Sequence, residues 1–137
     1  MLVIYRLLIN LAILFSPIII FIRLLKKKED IKRFKEKFCF FSHKKKQKKL
    51  IWFHGASVGE LLSVIPLIKE LEKDKKINQI LVTTTTLSSS KVFNNFKFKK
   101  TIHQFFPIDT NFHSKKFLNY WMPSLAIFID SEIWPNM

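Results

Sequence analysis

Acidic side chains are scarce in this chain, ten against twenty-four lysines and arginines. The places where they stand among small polar residues are therefore informative. One is H-G-A-S-V-G-E (54–60) and another is D-S-E-I-W-P-N (130–136). An ionised carboxylate can take a proton from a reacting hydroxyl or stabilise positive charge as it develops. Glu60 is the carboxylate of the first segment, with Ser57 and Gly59 beside it. It also stands three residues after Ser57, the spacing of a capping box in which Ser is the N-cap and Glu the third helical residue. Cap and base are compatible roles, because a helix N-terminus keeps a carboxylate ionised and ready to accept a proton. Asp130 and Glu132 read either as polar recognition and charge stabilisation or as an exposed loop with a cap. Trp134 covers a ligand or simply packs. The hydroxyls of T-T-T-T-L-S-S-S (83–90), Thr85 and Ser88 among them, suit phosphate or sugar oxygens. They equally suit a β-branched strand running into a helix cap.

The chain contains two glycines, Gly55 and Gly59, and both lie in the first segment. That loop is expected to need unusual dihedrals or close backbone approach. His54 has no metal partner at useful spacing and reads as a core or loop histidine. Cys39-x-x-x-His43 supplies two ligands at most. No metal site and no cofactor is expected, and no P-loop, Gly-x-Ser-x-Gly or complete G-x-G-x-x-G occurs.

The elements that must position these residues alternate. Leu50–His54 is a short apolar run, a buried strand. Glu60–Lys73 has Leu61, Val64, Ile65, Ile68 and Leu71 at helical spacing, with Pro66 expected to kink or break it. Gln79–Thr86 is strand-like, Ser88–Phe96 a short helix, Ile102–Phe106 a third strand ended by Pro107, Asn111–Trp121 a helix and Leu125–Ile129 a fourth strand. Strand and helix alternating over short connections imply an α/β fold with a parallel, Rossmann-like sheet. Ligands of such a sheet bind beyond the carboxyl ends of its strands. The segments 54–60, 83–90, 107–109 and 130–136 all fall at that edge.

Residues 1–25 are strongly apolar and uninterrupted from Leu7 to Ile22. As one helix this run is about 24 Å long, slightly short of a ~30 Å hydrocarbon core, and the flanking arginines can snorkel. A membrane-anchoring helix and a buried core helix are the two readings, the first favoured because the run is apolar all round and adjoins a very basic stretch. Residues 23–49 carry thirteen basic and three acidic side chains. The positive-inside rule places this segment in the cytoplasm, against an anionic membrane surface. A solvated, partly flexible charge run competes with that reading. Nucleic acid is not expected as a partner, since no recognition motif accompanies the charge. Twenty-one lysines against three arginines, with abundant Ile, Asn and Phe, also fit an AT-rich genome. One cysteine in 137 residues excludes a disulfide framework.

Taken together, K-R-F-K-E-K-F-C-F-F-S-H, W-F-H-G-A-S-V-G-E, V-T-T-T-T-L-S-S-S, F-F-P-I-D and I-D-S-E-I-W-P-N resemble, in order and spacing, the N-terminal half of the 3-deoxy-D-manno-octulosonic-acid (Kdo) transferases. The resemblance implies a GT-B architecture, two Rossmann-like domains facing across a cleft. It implies inverting transfer of Kdo from CMP-Kdo to a lipid A precursor on the cytoplasmic face of the inner membrane. Glu60 then matches the family's general base, the Glu of its S-V-G-E motif. Asp130 stands where an E-x-E-[IL]-W-P-N pattern places a carboxylate that stabilises the transition state, and Glu132 matches its second acid. Lys35 and Cys39 occupy glycine positions of the family's R-x-G-E-R-x-G stretch, and Ser89 stands near another. The expected organisation is an anchor over 1–25, a basic juxtamembrane segment over 26–49 and an acceptor-side domain over 50–137. The family's C-terminal donor-binding domain is not within these residues, so the chain is expected to be a fragment inactive alone. The alternatives are a noncatalytic membrane-attached acceptor-binding module and a basic protein of membrane surfaces or nucleic acid.

Overall fold

The computed structural model describes residues 2–46, 49–130 and 135–137. Two helices open the chain, α1 (Leu2–Leu14) and α2 (Ser16–Leu25). A 3₁₀ turn (Phe34–Phe38) leads into β1 (Leu50–His54), α3 (Val58–Lys73), β2 (Gln79–Thr84), α4 (Leu87–Phe93), β3 (Thr101–Phe105), α5 (Asn111–Trp121) and β4 (Leu125–Phe128). The four strands form one sheet in the order β3-β2-β1-β4, every pair parallel.

Side-chain alternation divides the core between the two faces of this sheet. Ile51 and Phe53 of β1 and Ile80 and Val82 of β2 face α3 and α4, where Leu61, Ile65, Ile68 and Phe93 meet them. Leu50, Trp52 and Leu81 face the other way, onto Phe117 and Trp121 of α5. Strands covered on both faces read as unbroken apolar runs, and β1 and β2 are buried along their whole length. After β3 the chain crosses to the other side of β1. The order therefore reverses between β1 and β4, which makes the carboxyl ends of those strands the topological switch point.

Three sequence expectations change. Pro66 lies inside an unbroken α3. It falls on the helix's exposed side, where the Leu62 carbonyl that it leaves without a donor meets solvent, while Ile65 and Ile68 are held by the core. The N-terminal apolar run is not one helix. It breaks at Phe15, Pro17 entering the first turn of α2, and the two helices meet at a bend of 56°. Among the described residues no single helix is long and apolar enough to cross a membrane, although the bent pair passes that test together. Neither is a core helix: Val3, Leu7, Leu8, Leu14 and Ile18 are all more than half exposed. Strand β2 stops at Thr84, two residues early, because Thr86 caps α4.

The basic segment is not a free charge run. Arg33 reaches β3 and donates to the His103 carbonyl at 2.7 Å, while both its Nε and its Nη2 bond Glu36 at 2.8 and 2.9 Å. Glu36, 1% exposed, accepts the Phe105 backbone N–H. Glu29, also buried, is held by Arg23 and Lys37. The 3₁₀ turn thus covers the β3 edge, whose backbone would otherwise be open to pairing.

Candidate functional site

Strand β1 ends at His54 and the chain turns through Gly55 and Ala56 into α3. Gly55 has an ordinary φ, but a Cβ there would meet Glu60 Cβ and Ile129 Cδ1, each at 3.1 Å. The loop is thus pressed between α3 and the end of β4, and glycine is required for close approach. Gly59 differs. A Cβ there has open space and its φ is not positive, so the fold does not demand it, and glycine is a poor helix former. Its effect is to leave the first turn of α3 bare toward solvent.

The helix start is a capping network. Ser57 Oγ accepts the Glu60 N–H at 3.2 Å and donates to Glu60 Oε1 at 2.6 Å. Glu60 Oε2 accepts the Ala56 N–H at 2.8 Å. The Ser57 hydroxyl bond, followed by the backbone N–H groups of Ala56 and Ser57, holds the Glu60 carboxyl below its usual range against the opposing effect of burial. Glu60 is therefore ionised at neutral pH, partly exposed and fixed in place. Thr85 ties the neighbouring strand end to this loop, its hydroxyl donating to the Ala56 carbonyl at 2.9 Å.

His54 lies beneath the loop, fully buried and stacked on Phe106 at 3.9 Å. Its Nδ1 is 2.9 Å from Thr83 Oγ1 and 3.2 Å from the Thr83 carbonyl, an acceptor only, so Nδ1 carries the proton. Burial lowers its pKa to about 4, which keeps the ring neutral under the Glu60 loop.

Asp130 follows β4, the strand beside β1, and is exposed with φ at 60°. Aspartate tolerates this left-handed conformation better than longer side chains do. Among the described residues it makes no hydrogen bond to the Glu60 loop. Glu132 and Trp134 lie outside the described residues. Ser88 is exposed on α4 and borders a separate, basic cavity. The structure thus gathers Ser57, Gly59, Glu60 and Thr85 into one cluster, sets Asp130 at the adjacent strand end and places Ser88 apart. Among the described residues no group of three or more His, Cys, Asp or Glu side chains is placed to hold a metal ion.

Contacts that the sequence did not announce bring α1 to this same edge. Tyr5 donates to Asp109 Oδ2 at 2.6 Å, and Arg6 donates to Asn136 Oδ1 at 3.0 Å. Asn136 in turn donates to the Asp109 carbonyl at 3.0 Å. Between α1 and the strand ends lies an apolar cavity of about 260 Å³, bordered by Ile9, Phe106, Pro107, Ile108 and Thr85. P-I-D (107–109) and Asn136 are therefore docking points for the N-terminal helix.

Residues 32–137 match the family model of the 3-deoxy-D-manno-octulosonic-acid transferases (kdotransferase). The chain belongs to that family. A Kdo transferase of Rickettsia bellii is 45% identical over 92% of this chain and 31% of that protein. Transferases of the same name from Rickettsia prowazekii and Haemophilus influenzae are 34% and 33% identical over 86% and 64% of the chain, which is 35% and 20% of their own lengths. The chain thus spans about a third or less of these relatives. No solved structure matches it. The Kdo transferase family match covers the 3₁₀ turn and the whole sheet, so the Arg33–Glu36 latch and the Glu60 loop both lie within it.

Proposed function

We propose that these residues form the acceptor-side wall of an inverting glycosyltransferase that moves Kdo from CMP-Kdo to a lipid A precursor. The observation that carries the reading is Glu60: an ionised, partly exposed carboxylate, oriented by Ser57 and Ala56, at the switch point of a parallel sheet. In this reading Glu60 removes the proton from a hydroxyl of the lipid acceptor as that oxygen bonds the anomeric carbon of Kdo. The bond from that carbon to the CMP phosphate breaks, and its electron pair leaves with CMP. Asp130, at the next strand end, faces the positive charge that develops on the sugar. Ser57, Gly59, Thr85 and Glu132 belong to the substrate-binding surface, whereas Ser88, expected there from the sequence, lies apart from it.

The fold is the N-terminal half of a GT-B enzyme, and the relatives' remaining length is where we place donor binding. Residues 1–25 anchor the protein to the cytoplasmic face of the inner membrane, 26–49 form its basic juxtamembrane part and 50–137 the catalytic wall. The exposed apolar surface of α1 and α2 supports the anchor, and the hydrogen bonds from α1 to Asp109 and Asn136 would bring the bilayer close to the Glu60 edge.

The test is Glu60→Gln in the full-length enzyme. Glutamine still caps as the third helical residue but cannot accept the proton. Turnover should fall about 10²–10⁴-fold with little change in melting temperature. A variant of near-normal turnover would leave Glu60 as a cap alone.

A further inference from the structure

A second cavity, of about 360 Å³, lies away from Glu60 between the end of α2 and the start of α4. Arg23, Lys27, Lys28, Lys91, Thr86 and Ser88 border it. The cations come from two parts of the chain 63 residues apart by numbering, Lys28 and Lys91, so this is a product of the fold and not of one lysine run. The carboxylate nearest in sequence, Glu29, is already bound by Arg23 and Lys37. Among the described residues Lys27, Lys28 and Lys91 form no ion pair. Like charges around one cavity are unfavourable unless an anion joins them.

The lysines of α2 are held by a locked turn. The backbone N–H of Lys28 donates to the Arg23 carbonyl and that of Lys27 to the Leu24 carbonyl, at 2.9 and 3.0 Å. This is a Schellman closure in which the left-handed position, usually glycine, is Lys27 with φ at 53°. Opposite them, α4 presents the exposed Ser88 hydroxyl one turn before Lys91. Thr86 Oγ1 is engaged within its own cap by Ser89, and among the described residues the Ser88 hydroxyl has no hydrogen-bond partner.

We propose that this cavity binds a phosphate group, a phosphomonoester for preference, using Lys27, Lys28 and Lys91 as charges and Ser88 as a hydroxyl partner. A dianionic group with three acceptor oxygens matches several ammonium groups and one hydroxyl arranged about a single cavity. The cavity stands at the polar end of α2, where the apolar run stops. A phosphate borne by a lipid at the membrane boundary and free inorganic phosphate are both possible sources.

The whole chain is kept in detergent micelles, so that α1 and α2 stay solubilised, and is titrated with short-chain phosphatidic acid, short-chain phosphatidylglycerol and inorganic phosphate. Phosphatidic acid should bind more tightly than phosphatidylglycerol, a phosphodiester. Lys91→Ala and Lys28→Ala should each weaken binding about fivefold, Lys91→Arg should largely restore it, and Lys75→Ala, an exposed lysine away from the cavity, should leave it unchanged. Circular dichroism on each variant separates lost binding from lost fold. Competition by inorganic phosphate would identify the phosphate group itself as the ligand, and lipid binding without competition would assign the site to a lipid headgroup. Either supports the proposal. Equal binding by the Lys91→Ala and Lys75→Ala variants, or equal affinity for the monoester and the diester, overturns it. Phosphate binding is read without Kdo transfer, so the result is independent of the transferase reading.

Discussion

Cys39 shows what a residue can do that its type does not announce. It is the chain's single cysteine, 2% exposed, and sits with φ at 57° where the 3₁₀ turn ends. Its thiol donates to the His113 carbonyl at 3.3 Å, and burial raises its pKa to about 11, so it is an inert packing group. Left-handed φ explains why the resembling motif has glycine here, whereas Lys35, at the motif's other glycine, has no such conformation. A β-carbon at this φ costs about 1–2 kcal/mol. Cys39→Ala keeps that strain and loses the packed sulfur, whereas Cys39→Gly loses the sulfur and relieves the strain. The glycine variant should therefore melt higher than the alanine variant, the reverse of the usual order, and chemical denaturation of the pair checks it. Glu60 and Ser57 were legible as a cap because spacing alone specifies one. The conformations of Cys39 and Asp130 were not, because backbone dihedrals follow from long-range packing. His103 carries a pH dependence that also required the structure. Burial, then the charge of Arg33, lower its pKa to about 3. Nδ1 faces the Arg33 guanidinium at 3.0 Å, so the proton sits on Nε2, 2.8 Å from Thr84 Oγ1. The unfolded chain takes up this proton near pH 6.5 and the folded chain only near pH 3, so this contribution to stability is complete above about pH 6.5 and declines as the pH falls toward 3. His54, with its pKa near 4, adds to the same trend. Melting temperature should fall steadily from pH 7 to pH 4, and His103→Gln should flatten that slope.

Elements were legible where hydrophobic period and burial agree. Leu50–His54 and Asn111–Trp121 match their expected bounds, because the first is buried on both faces and the second starts at a Thr110 cap whose hydroxyl accepts the His113 N–H. The basic segment resisted reading. Charge counts describe a solvated run equally well, and only the latch of Arg33 and Glu36 onto β3 distinguishes it. The helix pair α1–α2 is the element with the largest predicted effect on behaviour. Most of its apolar side chains are exposed, while Tyr5 and Arg6 reach the domain. That inverts the usual pattern of a surface helix, in which the apolar stripe faces the core. Deleting residues 1–25 should move the protein from membranes to the soluble fraction, since the main apolar attachment goes with them. Residual binding through 26–49 should be removed by high salt, because exposed charges are screened. A deleted form that sediments with membranes through a high-salt wash would place the attachment elsewhere.

At the scale of the molecule, the proposed reading makes the sheet edge carrying Glu60 one wall of a cleft. All four strands end there, and the Glu60 loop, Thr85 and Asp130 lie along it. What is built on that edge suits a hydroxyl acceptor: an oriented carboxylate, a bare helix turn at Gly59 and an apolar cavity under α1. The outer strand β4, with Leu125 and Ala126 exposed, leaves apolar surface unburied among the described residues. The relatives from Rickettsia and Haemophilus devote 20–35% of their length to the part this chain matches. Much of a transferase's acceleration comes from holding both reactants in one geometry, and binding only one of them forfeits it. A polypeptide of residues 1–137 by itself should therefore bind a lipid acceptor but not turn over CMP-Kdo. Radiolabelled Kdo transfer measured with the purified polypeptide, with and without the remainder of a relative such as the Rickettsia bellii enzyme supplied in trans, checks this. Transfer that appears only when both are present fits a two-walled cleft. Robust transfer by residues 1–137 alone would show that the donor is held on this wall as well, and Asp130 would be the first residue to re-examine.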